Sequence, residues 1–167
     1  MEISVESIKT LRESTGAGIM DCRRSLEESG GDLEKAQLML KEMGLAGAAK
    51  KAARDAREGL VEAYVHSGGR IASMVELNCE TDFVSRTSDF KEVAHDVAMQ
   101  VAAMAPLYIT AGDIPEGEAI DPQEVCLMEQ VFIKDSSKTI QDVVNDLVAR
   151  VGENVRVGRF IRYVLGQ

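Results

Sequence analysis

Residues that could carry out chemistry are few in this chain and are spread along it. The only histidines are His66 and His95. The three cysteines are Cys22, Cys79 and Cys126, and they lie far apart. A cysteine–histidine nucleophile needs its two side chains in contact and a third group that orients the base, and these spacings imply no such set. An odd number of separated cysteines predicts buried thiols, without a disulfide framework or a metal-ligand cluster.

Three carboxylates are concentrated within a short segment, at Glu76, Glu80 and Asp82. Carboxylate oxygens bind hard metal ions, but carboxylates at the end of a strand are also common on protein surfaces. An enzyme is therefore a rival class, although no residue pattern supports a particular reaction. The sequence predicts a protein with no catalytic residues, no cofactor and no bound metal.

Charge and hydropathy argue against two classes of partner. The chain has 28 acidic and 19 basic side chains and a net charge of −9, whereas nucleic-acid binding needs clustered positive charge. No apolar run approaches the roughly 20 residues that span a bilayer. The first residues lack a basic region followed by an apolar stretch, so we expect no signal peptide and a cytoplasmic protein.

The carboxylate-rich segment lies where a strand is expected to give way to a helix. Alternation over residues 71–78 predicts the strand, and Thr81 or Asp82 can cap the helical turn that follows. Phe83 and Val84 then lie at the tip of the junction. An aromatic residue there is either a core anchor or a rigid apolar probe for a partner's pocket.

Residues 1–45 predict a compact bundle of three short helices. Ser4 and Asp32 are good caps for the first and third helices. Gly44 is expected to end the third helix. The glycine-rich turn at residues 15–18 is not a phosphate-binding loop, because no Gly-Lys-Ser/Thr follows it.

Residues 46–58 are rich in alanine and basic side chains, and they predict a separate linker helix whose basic face is solvated or contacts an acidic partner. In residues 59–167 we expect antiparallel strands packed on helices, with a hairpin turn at residues 67–70 and a long helix that Ser88 caps. That helix carries an apolar stripe on one face from Phe90 to Met104, which is expected to cover the sheet. A brief strand is expected at residues 131–133, and Asp121 and Thr139 are expected to cap two further helices. The last strand is expected to place its apolar side chains on one face, at Val155, Val157, Ile161, Tyr163 and Leu165. The predicted fold class is therefore α+β.

The segment from Glu76 to Arg86 resembles the second signature of the translation elongation factor Ts family. It has the order Glu, aliphatic, Asn, small, Glu, Thr-Asp-Phe-Val, small, basic. The resemblance implies that the Thr-Asp-Phe-Val turn presses into the GTPase elongation factor Tu and dislodges its magnesium. The residues of the turn are Thr81, Asp82, Phe83 and Val84. Asp82 is either a helix cap, which its position favours, or a charge near that magnesium.

Residues 11–26 resemble the first signature of the family, with two departures. Arg23 stands where the family usually has Lys, and Ser25 stands where it has a small apolar residue. The resemblance implies a ubiquitin-associated-like bundle that contacts the GTPase. The candidate contact residues are Leu11, Arg12, Thr15, Gly16 and Arg23.

The resemblance covers nearly the whole chain, including pieces at residues 130–135, 152–155 and 159–163, and it implies a short member with one core. Residues 121–129 stand where the family usually has a longer helical stretch. The longest members have two copies of the core, and a chain with one copy can replace the missing half by pairing with itself. We therefore hypothesise a homodimer through residues 59–167. The implied function is guanine-nucleotide exchange on elongation factor Tu, which binds in its GDP-bound and nucleotide-free forms. The alternative is a non-catalytic adaptor built on the bundle, which leaves the Thr-Asp-Phe-Val turn without a role.

Overall fold

The computed structural model describes residues 3–167, and its fold class is α+β as predicted. Residues 1 and 2 of the predicted bundle lie outside the described residues. Three helices come first, with bounds Val5–Thr15 (α1), Ile19–Glu28 (α2) and Leu33–Lys51 (α3). Their apolar side chains form a small core of their own, made by Leu11, Cys22, Leu26, Ala36 and Leu40. The assignment of residues 1–45 as a ubiquitin-associated-like domain stays a prediction.

Local sequence explains where these helices begin and end. Ser4 caps α1, because its hydroxyl accepts the backbone N–H of Ser7 at 3.0 Å. Gly16 ends α1 at φ 68°, a left-handed conformation that glycine adopts without strain. Asp32 caps α3 by accepting the N–H of Lys35, and this hydrogen bond lowers the pKa of the Asp32 carboxyl. The two predicted caps are confirmed.

Helix α3 is longer than the sequence predicts. It continues through its glycines to Lys51, so the expected end at Gly44 and the separate linker helix over residues 46–58 are both wrong. Tertiary packing supports its second half. Ala48 packs against the main core, and a Cβ on Gly44 would meet Ala149 of the last helix at an ordinary contact distance of 3.7 Å. Packing here outweighs the low helix propensity of glycine.

The second part of the chain contains a three-stranded antiparallel sheet in the order β1-β2-β5 and a separate β3-β4 hairpin. The strand bounds are Glu58–Val65 (β1), Ile71–Cys79 (β2), Val131–Phe132 (β3), Asp135–Thr139 (β4) and Arg156–Val164 (β5). The turn between β1 and β2 is confirmed, since Gly68 and Gly69 both have the positive φ that a tight hairpin requires. A strand at β3 was expected, whereas β4 was not.

Four α-helices accompany the sheet, with bounds Asp82–Ser85 (α4), Ser88–Met104 (α5), Pro122–Val125 (α6) and Ile140–Val151 (α7), and short 3-10 helices span Ala111–Asp113 and Leu127–Glu129. The predicted caps Asp121 and Thr139 are confirmed for α6 and α7. The predicted cap Ser88 is wrong, because the hydroxyl of Thr87 accepts the N–H of Phe90 and Ser88 is already helical. No helix within residues 3–167 is both long enough and apolar enough to cross a membrane.

Helix α5 lies on one face of the sheet, here called the inner face, and α7 packs between α5 and α3. The apolar stripe predicted along α5 forms the centre of the main core, where its buried members are Phe90, Val93, Ala94, Val97 and Val101. Met104, at the end of the stripe, is nearly half exposed. Each large apolar side chain buried in this way contributes about 1.5–3 kcal/mol. The main core therefore holds the sheet, α5 and α7 together.

Strand β5 contains a β-bulge that reverses its faces. Its pairing with β2 skips Gly158, and a one-residue insertion moves the following side chains to the opposite face. Val157 is therefore buried, whereas Ile161 and Tyr163 are exposed on the outer face of the sheet. The expectation of one apolar face along the whole strand is wrong beyond Gly158.

Candidate partner-binding site

The Thr-Asp-Phe-Val segment forms a single helical turn between the sheet and α5. Strand β2 ends at Cys79, and α4 begins at Asp82. The side chain of Phe83 is 78% exposed, whereas Val84 packs against the main core. Phe83 is therefore not a core anchor, and its role as an apolar probe stays a prediction. We call residues 81–84 the Phe83 turn.

Thr81 stands at the cap position of α4 but makes no side-chain cap hydrogen bond. Its hydroxyl donates instead to Oε1 of Glu153 at 2.6 Å. The other oxygen of that carboxylate, Oε2, accepts the backbone N–H groups of Thr81 at 3.0 Å and Glu80 at 3.1 Å. A half-buried carboxylate from a distant part of the chain thus holds the backbone that leads into the Phe83 turn.

Asp82 is the first residue of α4, so its predicted role as the helix cap is wrong. Its Oδ2 accepts a hydrogen bond from Nη2 of Arg86 at 2.6 Å, one helical turn later. The carboxylate also lies at the N-terminal end of the turn, where negative charge is favourable. The ion pair faces solvent next to Phe83.

Asn154 connects this junction to the end of α3. Its backbone N–H donates to Oε1 of Glu80 at 2.7 Å, and its side-chain amide donates to the carbonyl oxygens of Ala52 and Arg54. Nη1 of Arg54 lies 3.4 Å from the same Glu80 oxygen. Three segments, which follow α3, β2 and α7 in the chain, therefore meet beside the Phe83 turn.

Cys79 is fully buried at this junction, and its Sγ donates to the carbonyl oxygen of Thr81 at 3.1 Å. Burial raises the pKa of Cys79 to about 11, and the negative charge of Glu153 adds to the effect. Cys22 and Cys126 are also buried, and burial raises the pKa of each thiol. Because the thiolate is the reactive form, a buried neutral thiol is inert.

The histidines lie at the β1 edge of the sheet. Nδ1 of His66 is 3.1 Å from the hydroxyl of Tyr64, and Nδ1 of His95 is 2.9 Å from a carboxylate oxygen of Glu62. Within residues 3–167, no hydrogen bond or ion pair joins a histidine to a cysteine. The geometry therefore offers no cysteine–histidine nucleophile among these residues.

The three carboxylates that could bind a metal do not converge. Glu76 accepts a hydrogen bond from Nε of Arg159 at 2.7 Å, whereas Glu80 and Asp82 have the separate partners described above. Hydrogen bonds from Asn78 and Arg159 lower the pKa of the Glu76 carboxyl. Across residues 3–167, no group of three or more His, Cys, Asp and Glu side chains is arranged to hold a metal ion.

Three of the candidate contacts in the bundle shape the turn after α1. Leu11 is buried in the small core, so it supports the bundle from inside. The hydroxyl of Thr15 donates to the carbonyl oxygen of Leu11 at 2.6 Å. A Cβ on Gly16 would meet Cδ of Arg150 at 2.9 Å, which places this turn against α7.

The other two candidate contacts, Arg12 and Arg23, are exposed, and Arg23 forms an ion pair with Glu27 at 2.8 Å. Exposed apolar side chains lie close by in the sequence, at Ile19 and Met20, where α2 begins. Neither residue was predicted as a contact from the sequence, although both lie inside the first signature-like segment. Together the four residues give the bundle a mixed apolar and basic surface.

A cleft of about 470 Å³ lies between the bundle and α7, away from Phe83. Leu38 and Leu45 form an apolar part of the cleft wall. Lys41 and Asp142, which also line the cleft, form an ion pair at 3.5 Å. No histidine or cysteine is among the described residues that line it. The cleft therefore supplies neither a thiol nucleophile nor a histidine base.

Glu153 and Asn154 were also not predicted as site residues from the sequence. The sequence did contain a signal for them, because residues 152–155 resemble a recurring piece of the family. Their role could not be assigned without the fold. They reach the junction because α7 ends at Gly152, whose φ of 77° turns the chain back toward β2.

The fold and the site together define an α+β protein that presents an aromatic side chain on an ordered turn, a geometry suited to binding a macromolecular partner. A family model described as Elongation factor TS matches residues 42–122. A relative named Elongation factor Ts is also 46% identical to this chain over its whole length. This chain therefore belongs to the elongation factor Ts family and is a translation elongation factor.

Three relatives are similar over nearly the full length. The chain is 46% identical to Elongation factor Ts of Thermotoga petrophila, with 100% of this chain and 98% of that protein aligned. The identity is 46% for Coprothermobacter proteolyticus, with both chains fully covered, and 47% for Desulforamulus reducens, with 99% and 90% covered. The first alignment spans 196 positions against 167 residues here, so that relative contains residues that this chain lacks.

Proposed function

We propose that this protein is a guanine-nucleotide exchange factor for elongation factor Tu. It binds the GDP-bound GTPase, dislodges magnesium and promotes GDP release so that GTP can bind. It performs no covalent chemistry, and it acts in the cytoplasm, which cell fractionation would test. The observation that carries the proposal is the exposed Phe83 on an ordered turn in a chain of the elongation factor Ts family.

The mechanism follows from how a GTPase holds its nucleotide, through phosphate contacts and a magnesium ion. Magnesium demands near-ideal octahedral geometry, so a small displacement of its surroundings weakens its binding. A factor that binds the nucleotide-free GTPase more tightly than the GDP form lowers nucleotide affinity by the same ratio. Phe83 and its neighbours must therefore make contacts that exist only when the ion is displaced.

Phe83 is the wedge in this proposal. Its side chain has most of its surface free, and Val84 anchors the turn in the core. Fully burying a phenylalanine side chain contributes about 1.5–3 kcal/mol, which corresponds to about a 10- to 150-fold effect. Further binding energy must come from other surfaces, for which the exposed bundle residues Arg12 and Arg23 are the candidates.

Asp82 and Thr81 have different parts in the proposal. With the cap role of Asp82 excluded, its solvent-facing carboxylate is the charge that approaches the partner's magnesium site. Thr81 holds the turn through its bonds to Glu153. The turn thus combines one apolar probe with one adjacent negative charge, both on a backbone that hydrogen bonds fix in place.

The test is release of a fluorescent GDP analogue from elongation factor Tu. We expect the protein to accelerate release, and Phe83→Ala to slow the maximal rate by about 10- to 150-fold with a smaller loss of affinity. Leu107→Ala is the matched control, because it also removes an exposed apolar side chain, 65% exposed, outside the turn. A folded protein without any effect on release would refute exchange activity and favour the adaptor. Normal maximal exchange with weaker binding in Phe83→Ala would refute the wedge.

We also propose that a second copy of the chain covers the outer face of the sheet. Exposed apolar side chains there are Val61, Val65, Met74, Ile161 and Tyr163. They are contiguous across the strands, because Met74 pairs with Ile161 and Ala72 pairs with Tyr163. Contiguous exposed apolar patches mark interaction surfaces. The patch favours the homodimer through residues 59–167.

Sedimentation equilibrium tests the dimer. We expect particles of twice the 18.2 kDa chain mass, and we expect Met74→Glu to yield single chains. Leu107→Glu, which adds the same charge away from the sheet, should leave the dimer intact. If the unmodified protein contains single chains alone, at concentrations well above any plausible dissociation constant of the dimer, the proposal is contradicted.

A further inference from the structure

We propose that Glu153 is a positioning residue for exchange, which holds the Phe83 turn in the orientation that makes GDP release fast. The inference rests on the proposed function. Glu153 lies 72 residues after Thr81 and outside both signature-like segments. Its carboxylate contacts the residues that lead into the turn, so we expect its effect on a partner to pass through the backbone that it holds.

The Phe83 turn needs an external support, because α4 has only four residues. Isolated helices this short are unstable, and the first N–H groups of any helix lack partners within it. Thr81 does not supply the usual cap, since its hydroxyl donates to Glu153. A single carboxylate therefore binds three donors, which are one hydroxyl and two successive backbone N–H groups.

The position of Glu153 is itself fixed by its neighbours in the chain. It follows Gly152, the left-handed residue that ends α7, and α7 is packed in the main core. The next residue, Asn154, is buried and donates its N–H to Glu80. Glu153 and Asn154 therefore form hydrogen bonds with Glu80 and Thr81 across the junction. The turn cannot rotate without breaking these hydrogen bonds.

Loss of this support should affect the exchange rate more than the affinity. The apolar surface of Phe83 would still be available, so contacts made in the initial complex would remain. A wedge that acts only when magnesium is displaced needs its geometry fixed beforehand, because small misplacements of a positioned group cost much of its effect. Loss of Glu153 should therefore keep the exposed Phe83 side chain but change its orientation.

The experiment compares Glu153→Ala with Glu153→Gln in the full chain. A glutamine oxygen can still accept both N–H groups, and its amide can donate to the Thr81 hydroxyl. Since hydrogen bonds to a charged group are strong, we expect Glu153→Ala to lower the maximal rate of GDP release about 10-fold and to change the affinity less than about 3-fold. Glu153→Gln should keep the rate within about 3-fold of the unmodified protein.

A second readout is independent of exchange. Hydrogen–deuterium exchange at the amides of Glu80 and Thr81 in the free protein should speed up about 10-fold or more in Glu153→Ala. The matched control is Asp113→Ala, which removes a similar clamp elsewhere. Asp113 accepts the N–H of Thr110 at 2.8 Å and its hydroxyl at 2.9 Å. This control should leave both GDP release and the amides near Phe83 unchanged.

The outcomes separate this proposal from the function on which it rests. An unmodified protein that does not accelerate GDP release overturns both. An active protein whose Glu153→Ala variant keeps its maximal rate, or keeps both amides protected, overturns the role of Glu153 alone. If Glu153→Ala does not fold, Thr81→Val removes only the hydroxyl donor at nearly constant shape, and an unchanged maximal rate in that variant overturns the proposal equally.

Discussion

Two phenylalanines seven positions apart have opposite environments. Phe83 is 78% exposed on α4, whereas Phe90 is fully buried on α5. A threonine precedes each helix, but the hydroxyl of Thr87 accepts the N–H of Phe90, while the hydroxyl of Thr81 donates to Glu153. The long α5 is held by its apolar stripe, and the short α4 is held largely by hydrogen bonds from outside.

The difference shows how the chain separates stability from recognition. An apolar side chain can stabilise the fold only where it is buried, so the surface of Phe90 is already used by the main core. The surface of Phe83 remains free because polar groups fix the backbone beneath it. Truncation of Phe90 should therefore alter the free energy of unfolding, and truncation of Phe83 should leave it nearly unchanged.

The largest effect is expected from truncation of the buried member of the pair. Phe90→Ala should lower the free energy of unfolding by about 3–5 kcal/mol, because it removes buried surface and leaves a cavity. Phe83→Ala, the matched change, should lower it by less than about 0.5 kcal/mol. Urea denaturation followed by circular dichroism measures both. Similar losses in the two variants would remove the distinction between the regions.

A smaller effect is expected at Cys79, on the buried side of the same junction. Burial raises the pKa of Cys79 from 9.0 to about 11, so its thiolate fraction at pH 8 should be about 100-fold below that of an exposed cysteine. Alkylation by iodoacetamide, mapped by peptide mass, should be slower by at least this factor than in urea. Equally fast modification of Cys79 in both conditions would show that the junction opens freely.

The raised pKa of Cys79 also fixes the direction of a pH effect. The folded state prefers the neutral thiol, so the stabilisation is complete below pH 9 and is lost as the pH rises toward 11. Urea denaturation across this interval should show decreasing stability, and Cys79→Ser, which does not titrate there, should remove this contribution. An unchanged pH dependence in that variant would assign the loss to other groups.

The smallest effect is expected at the exposed ion pair of the turn. Arg86→Ala breaks its 2.6 Å contact with Asp82, yet exposed pairs contribute only about 0–1 kcal/mol. The change in unfolding free energy should be of that size and should shrink in high salt. Arg86→Lys is the control that keeps the charge. A loss as large as that of Phe90→Ala would mean that the turn is part of the core.

Local signals predicted much of the fold. The β1–β2 turn follows from the paired glycines Gly68 and Gly69, which both adopt positive φ. Helix α7 is capped by Thr139 and ends before Gly152, as its sequence indicates. The stripe on α5 identified the main core because its spacing depends only on helix geometry. These features need no knowledge of distant residues.

The remaining features depend on contacts that are remote in sequence. Gly44 lies inside α3 because α7 packs beside it, and Gly158 forms a bulge because of its pairing with β2. Thr81 fits a helix cap by type and position, but Glu153 competes for its hydroxyl. The sequence left Phe83 as either a core anchor or an exposed probe, and only its exposure in the folded structure excludes the core anchor.

The order of strands in the sheet also has a consequence for how the chain acquires its structure. The central strand β2 pairs with β1 across a short hairpin and with β5 across about half the chain. Hairpins form within microseconds, whereas distant pairings are slow because a long loop must close first. Since segments nearer the N-terminus emerge from the ribosome earlier, one side of β2 stays unpaired until β5 has been synthesised. The nascent chain therefore passes through a stage in which this open edge is its most vulnerable point for association with other chains.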